Sequence, residues 1–377
     1  GYGYAYSQDN YCVTMREIAM ASGRSAELMG GDADRDLLLR YLSGSKEEFR
    51  TRFFDVLPQS LRDLATGYAA GMNRYLRETG VDNLPEGEAG CRGEAWVYEV
   101  DEIDLYLYLR LIALAGSSDQ GIIRDGILRV QGPDGSSGIA ALDRLGVEPF
   151  PGRALTAAGR SIKPSEVGSN AIAVGGDATQ DGGGLLLGNP HQPWNGSGRW
   201  YEAHLTIPGE YDVAGASLQG LPWIAIGFNK DLAWTHTVDY STRFTLYELK
   251  LNPDNPLEYE YDGQWREITA ETVSVKVAQA DGTLVDQERT FYSSHYGLIV
   301  DLGGVNPLFG GWPMFNGSLM TMRDANLETG LRSGQQWLEK SQATNMAEFT
   351  EALKAIGNPV FHEFAADRHG DAFYGQV

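Results

Sequence analysis

The sequence predicts an α+β protein, and three observations predict it. Helical apolar spacing fills the first part, short turn-bounded apolar runs dominate after residue 169, and one further helical stretch comes late. At 377 residues, with 42% hydrophobic and 11% aromatic side chains, the chain can bury a sizeable core as one large or two ordinary domains.

In SLRDLATGYAAGMNRYLRETG, Leu61, Leu64, Tyr68, Met72 and Tyr75 recur at three- and four-residue spacing, which is one apolar helix face. Ser60 and Asp63 are expected to cap its start and Gly80 to stop it. EVDEIDLYLYLRLIALAG predicts a second helix, with acidic residues in its first turn and an end near Gly116. From about Gly132 to Gly168, Pro, Gly and Ser occur without sustained periodicity, so this stretch reads as an exposed connection suited to cleavage.

After Ser169 the pattern is that of strands. NAIAVGG and GLLLGN are joined by the turn-rich TQDGG, and YEAHLTI, YDVAGASL, WIAIGFN, LAWTHTV and FTLYELKL follow, each bounded by Gly, Pro, Asn or Asp. TVSVKVAQA, QERTFYSS and YGLIVDL predict further strands. NMAEFTEALKAIG predicts a helix before a final strand pair within FHEFAADRHGDAFYGQV.

The formal net charge of −21 repels phosphate backbones and anionic lipid heads, so nucleic-acid and membrane-surface partners are not expected. No apolar run approaches the length of a membrane span. The two cysteines, Cys12 and Cys91, allow either one disulfide or two buried thiols, and neither lies in a metal-ligand spacing.

Most catalytic signatures are absent: the sequence holds no GxSxG elbow, P-loop, HExxH or strand-following GxGxxG. His362, Glu363 and His369 lie in an apparent hairpin rather than on one helix face, so no metal site is expected there. The GSNA sequence at Gly168 to Ala171 is different, because it lies where the connection meets an apolar strand. Cutting Gly168–Ser169 would give Ser169 a free α-amine beside its own hydroxyl. An α-amine titrates at about 7.7–8.0, so one residue would supply both nucleophile and base. Gly168, lacking a Cβ, can take the strained conformation that an N-to-O acyl shift requires.

The surrounding blocks resemble a known family. GSNAIAV, followed by LLLGNPHQPWNGSGRWYEAHLTIPGEYDVAGASLQGLPWIAIGFNKDLAWTHTVD, looks like the β-chain start of penicillin acylase-type N-terminal-nucleophile hydrolases. It is most similar to the acyl-homoserine lactone acylases and aculeacin-type acylases. GYGYAYSQDNYC and GYAAGMNRYL resemble the α-chain helices, and MRDANLETGLRSGQQW and FAADRHGDAFYG match downstream. The resemblance implies a four-layer αββα sandwich with a helical α-chain over residues 1–144, a spacer at 145–168 and the β-chain from 169 to 377. It also implies a periplasmic or secreted enzyme that hydrolyses N-acyl amides and needs no cofactor.

Carried over residue by residue, Ser169 matches the nucleophile and His191 the histidine that orients it and its amine. Val238 matches the residue whose backbone N–H helps form the oxyanion hole. Asn170 and Asn189 are expected to brace strand ends, and His236 to be structural. Gln192, Leu218, Leu221, Trp223, Ala225, Trp337 and Val360 match the acyl-pocket lining, with Gln192 standing where relatives often carry Phe and Val360 where some carry Trp. The family's second oxyanion asparagine, a catalytic arginine and its first strand have no counterpart, which reads as truncation at both ends. The calcium-binding aspartates of the penicillin G branch find no match in VDYSTRF, so no metal is expected. A penicillin, cephalosporin or lipopeptide acylase is the near alternative. A non-catalytic carbohydrate-binding β protein is the distant one, motivated by 8 Trp, 19 Tyr and 47 Gly.

Overall fold

The computed structural model describes residues 1–86, 90–114, 117–119, 121–133, 168–192, 194, 198–218, 220–239, 243–314, 316–329, 332–358 and 361–376. Almost all of the expected spacer, together with Val360, lies outside these residues. The class is α+β: helices lead, β structure follows and helices return late.

The helical part comprises α1 (Tyr2–Ala21), α2 (Ala33–Ser43), α3 (Gln59–Thr79), α4 (Glu102–Leu114) and α5 (Gly121–Arg129). α3 carries the expected apolar face, with Leu61, Tyr68 and Met72 buried. Its start corrects the expectation: Pro58, not Ser60, is the N-cap, and the Pro58 carbonyl accepts from the Leu61 and Arg62 amides. Proline suits this end because its fixed φ is helix-compatible and it has no N–H to leave unpaired. Asp63 instead accepts from the Gln59 side chain. Gly80 stops the helix as expected, at φ +77°. α4 starts with Asp101 accepting from the Ile103 and Asp104 amides. α1 crosses α3 at two glycines, where a Cβ on Gly3 would meet the Tyr68 carbonyl and one on Gly71 the Tyr4 amide. The open cysteine question resolves as a Cys12–Cys91 disulfide, which ties α1 to the loop after α3.

The described strands form three sheets. β1 (Gly168–Val174) and β2 (Leu185–His191) make an antiparallel pair. A six-stranded antiparallel sheet has the order β15-β14-β6-β5-β4-β3, from β3 (Trp200–Ile207), β4 (Tyr211–Leu218), β5 (Ile226–Phe228), β6 (Leu232–Val238), β14 (Phe361–Asp367) and β15 (Ala372–Gln376). A seven-stranded sheet runs in the order β10 (Thr269–Ala278), β11 (Leu284–Ser294), β12 (Gly297–Val300), β13 (Ser318–Asp324), β7 (Phe244–Asn252), β8 (Asn255–Tyr261) and β9 (Gln264–Glu267). After the short helix Ala325–Thr329, the longer late helices are α6 (Ser333–Gln342) and α7 (Met346–Leu353).

β1 and β2 pack on β6 and β14. The other face of this part of the six-stranded sheet takes α6, through Trp337 against His236 and Phe361. The main core is continuous from the helices into the sheet, running from Met15, Tyr68 and Tyr106 to Leu221, Trp223 and Trp337.

Candidate active site

The site is built around β6, the LAWTHTV strand. Alternation sends Trp234, His236 and Val238 to one face and Thr235 and Thr237 to the other. The threonine face receives the β1–β2 pair. A Cβ on Gly188 would lie 2.9 Å from Thr235 Oγ1 and 3.0 Å from its Cβ, so the approach depends on glycine. Ala171 pairs with Gly188 and Ser169 with Pro190. Ser169, Ala171 and Ala173 therefore share the inner face, toward β6, while Ile172 and Leu187 are more than half exposed on the outer one.

Ser169 is partly buried, and its Oγ donates to the Gly168 carbonyl oxygen at 2.5 Å. The residue is a strand start by construction: Gly168 pairs with His191 across the ladder. His191 lies on the outer face and is exposed. Its Nδ1 is 3.4 Å from where a Cβ on Gly168 would be, so it flanks the residue ahead of the serine rather than the serine hydroxyl. Asn170 and Asn189 pair directly one rung further on.

Val238 pairs with Phe361 at the end of β6. β5 reaches only as far as Trp234, so among the described strands residues 235–238 pair with β14 alone. One edge of the main chain beside Val238 is thus outside any described ladder, which is what a backbone donor to a ligand requires. Asp239 follows, buried, and accepts from Gln376 Nε2 at 2.8 Å.

On the helix face, His236 is buried with its ring 3.9 Å from that of Phe361 and flanked by Trp200 and Trp337. Burial, reinforced by the charge of Lys340, holds its pKa well below the ordinary imidazole value. It is a neutral core histidine, which agrees with the structural role expected of it. Glu363 stands opposite His236 and is bonded to Lys340, whereas His362 turns to the other face of β14 and stacks on Tyr374. His362 and Glu363 thus point apart, as hairpin neighbours must.

The expected pocket residues divide. Leu221, Trp223, Ala225 and Trp337 come together, 1–3% exposed, in the core shared with the helices, and the Trp223 and Trp337 rings stack at 5.6 Å. Leu218 and Gln192 are half-buried, Leu218 at the edge of that core. The indole N–H groups of Trp200, Trp223 and Trp337 and the Nδ1 of His236 find no hydrogen-bond partner among the described residues. Val360 lies outside the described residues.

Sequence reasoning missed the Lys340–Glu363 pair, Thr235 and Asp239. A lysine in SGQQWLEKSQ looks like a solvated helix residue, and only the three-residue spacing from Trp337 hints that it shares the buried face.

Residues 1–376 match the penicillin amidase family. The chain belongs to that family. It is 36% identical over 390 residues to the acyl-homoserine lactone acylase PvdQ of Pseudomonas fluorescens (strain Pf0-1), covering 99% of this chain and 46% of the relative. It is 34% identical over 396 residues to the aculeacin-A acylase of Actinoplanes utahensis, covering all of this chain and 46% of that one. The chain spans about half the length of these relatives. Among solved structures, a thermostable penicillin G acylase from Alcaligenes faecalis aligns at 21% identity with a TM-score of 0.44, over 54% of this chain and 34% of that one.

Proposed function

We propose that the protein is an acylase that hydrolyses the amide bond of N-acyl substrates through an acyl-serine intermediate on Ser169. In this reading it matures by cutting its own Gly168–Ser169 bond, residues 1–144 become a separate helical chain, and a spacer within 145–168 is excised. The two sheets around Ser169 belong to a four-layer αββα core. The observation that most supports the reading is the Ser169 hydroxyl held 2.5 Å from the oxygen of the carbonyl it must attack.

The chemistry runs in two halves. Ser169 Oγ attacks the substrate carbonyl carbon while its own α-amine, through a water, takes the hydroxyl proton. The oxyanion accepts from the Val238 N–H, a donor worth about 2.7–4 kcal/mol in comparable sites. Collapse expels the amine, which leaves with the proton held by the α-ammonium. Water then attacks the serine ester, its proton passes to the same amine and on to Ser169 Oγ as the acyl C–Oγ bond breaks, and the carboxylic acid departs. His191 orients the amine. Gln192, Leu218, Leu221, Trp223, Ala225, Trp337 and Val360 line the acyl site, whose apolar walls favour aliphatic acyl groups such as those of acyl-homoserine lactones, with graded selection among chain lengths. The resemblance to an aculeacin-A acylase favours lipopeptide amides as the second reading. A periplasmic or secreted location fits a disulfide-bonded helical part.

N-terminal sequencing tests the proposal. The wild-type protein is expected to yield a chain beginning Ser-Asn-Ala, and Ser169→Ala a single uncut chain. If Ser169→Ala gives two chains of the same sizes, self-cleavage by Ser169 is wrong.

A further inference from the structure

On the helix side of the six-stranded sheet, a buried pair of charges links α6 to β14, the strand beside β6. Lys340 Nζ donates to both Glu363 carboxylate oxygens, at 2.8 and 2.9 Å, and both side chains are 0% exposed. Glu363 stands opposite His236 on β6, one same-face position from Val238 and its partner Phe361. Lys340 lies three residues after Trp337 on α6, so one helix face delivers both the cation and the ring that covers His236 and Phe361. The lysine ammonium also lies over the ring of Phe349 of α7, 6.0 Å from its centroid.

Such a pair is a poor source of stability, because desolvating two charges offsets most of their attraction, and apolar replacements are often as stable. What it supplies is direction. The C-terminal end of α6 is tied by Asn229 Nδ2, which donates to the Ser341 and Ala343 carbonyls, and by the Tyr211–Ser341 hydroxyl pair. Beside these, apolar contacts let a helix slide at little cost, whereas a two-bond link from one ammonium to one carboxylate fixes where it sits along β14. We propose that Lys340 and Glu363 are positioning residues: the pair pins α6 and β14 against β6, so that the Val238 N–H and the Trp337 wall keep the geometry that acyl transfer needs. This rests on the acylase reading of Ser169 and Val238. Neither Lys340 nor Glu363 touches substrate in this arrangement.

The test measures kcat, KM and melting temperature for the wild type, K340M/E363L and E363D. The double variant is expected to melt within a few degrees of the wild type. Its kcat should fall about tenfold or more, since a displacement of about 1 Å costs up to roughly a hundredfold, while KM moves less than about threefold. E363D keeps both charges but draws the carboxylate back by one methylene, so it should lose kcat in the same sense. Recovery of both melting temperature and kcat in the double variant overturns the proposal. So does a full-rate E363D where the double variant does not fold. A wild type that hydrolyses no acyl amide refutes the acylase reading itself, whereas an active wild type with full-rate variants refutes only the pair.

Discussion

Gly188 gives the sharpest test of how the nucleophile is placed. The β1–β2 pair approaches β6 through small residues, and the closest point is Gly188 over Thr235, where a Cβ would lie 2.9–3.3 Å from three side-chain atoms. Carbon contacts settle at about 3.5–4.0 Å, so Gly188→Ala must lift the pair by roughly 0.5–1 Å or turn Thr235 aside. Overpacking of this kind costs about 1–3 kcal/mol. For a chain of this size that is a drop in melting temperature of roughly 1–4 °C. Gly188 pairs with Ala171, two residues from Ser169 on the same face, so the lift is transmitted to the hydroxyl. A shift approaching 1 Å should reduce kcat by up to about a hundredfold and slow the appearance of a chain beginning at Ser169. Both are read from a melting curve, steady-state turnover of a long-chain acyl amide, and the cleaved fraction over time on a gel. A Gly188→Ala protein that melts, cleaves and turns over like the wild type would show that the pair does not sit on Thr235 as described, and the placement of Ser169 would fall with it.

His236 should make stability pH-dependent. Its folded pKa is held below the ordinary 6.5, so below that pH the unfolded chain binds a proton that the folded one refuses. Stability is fully present above pH 6.5 and is lost at about 1.4 kcal/mol per pH unit below it, until the folded pKa is reached. His236→Phe should flatten the acid limb of urea-melt stability by one proton, and an unchanged slope refutes the buried neutral imidazole. The Cys12–Cys91 bridge closes a 79-residue separation, for which chain entropy predicts about 4.5 kcal/mol of stabilisation. Cys12→Ala/Cys91→Ala should lower the urea midpoint accordingly, and a midpoint equal to that of the wild type counts against the bond.

Much of the β architecture was legible because its strands alternate or are bounded by turn residues. LAWTHTV coincides with β6, and the final hairpin falls where FHEFAADRHGDAFYGQV predicts it. β8 (Asn255–Tyr261) and β9 (Gln264–Glu267) were not legible. QWRE is exposed throughout and NPLEYEY buries only Tyr259, so no apolar run marks them, and Asp262 and Gly263 at positive φ make the turn between them. α6 escaped for the opposite reason. It buries Gln336, Lys340 and Ser341, polar residues whose burial depends on partners far away in sequence. At the site, GSNA and NPHQPW carried meaning through resemblance. No spacing rule places Gly168 beside His191, because the register of two strands joined by a turn is set in three dimensions.

That register also separates two roles. Paired residues point to the same side of a ladder, so the His191 side chain shares the outer face with Gly168 and Asn170, while the Ser169 hydroxyl lies on the inner face toward β6. A histidine acting as the base for that hydroxyl would have to reach it directly, in the manner of a serine–histidine couple, and from the opposite face of the strand it does not. The group that cutting creates is different. The α-amine appears at the Ser169 nitrogen, on the backbone between the two faces, as Gly168 moves away from the Nδ1 it now lies against. Under the proposed cleavage, His191 would therefore meet an amine that the uncut chain lacks, and proton transfer from the hydroxyl would fall to that amine alone. The division follows from the pleat of one strand, and in the proposed mechanism it makes the base of the reaction a product of the chain's own cleavage.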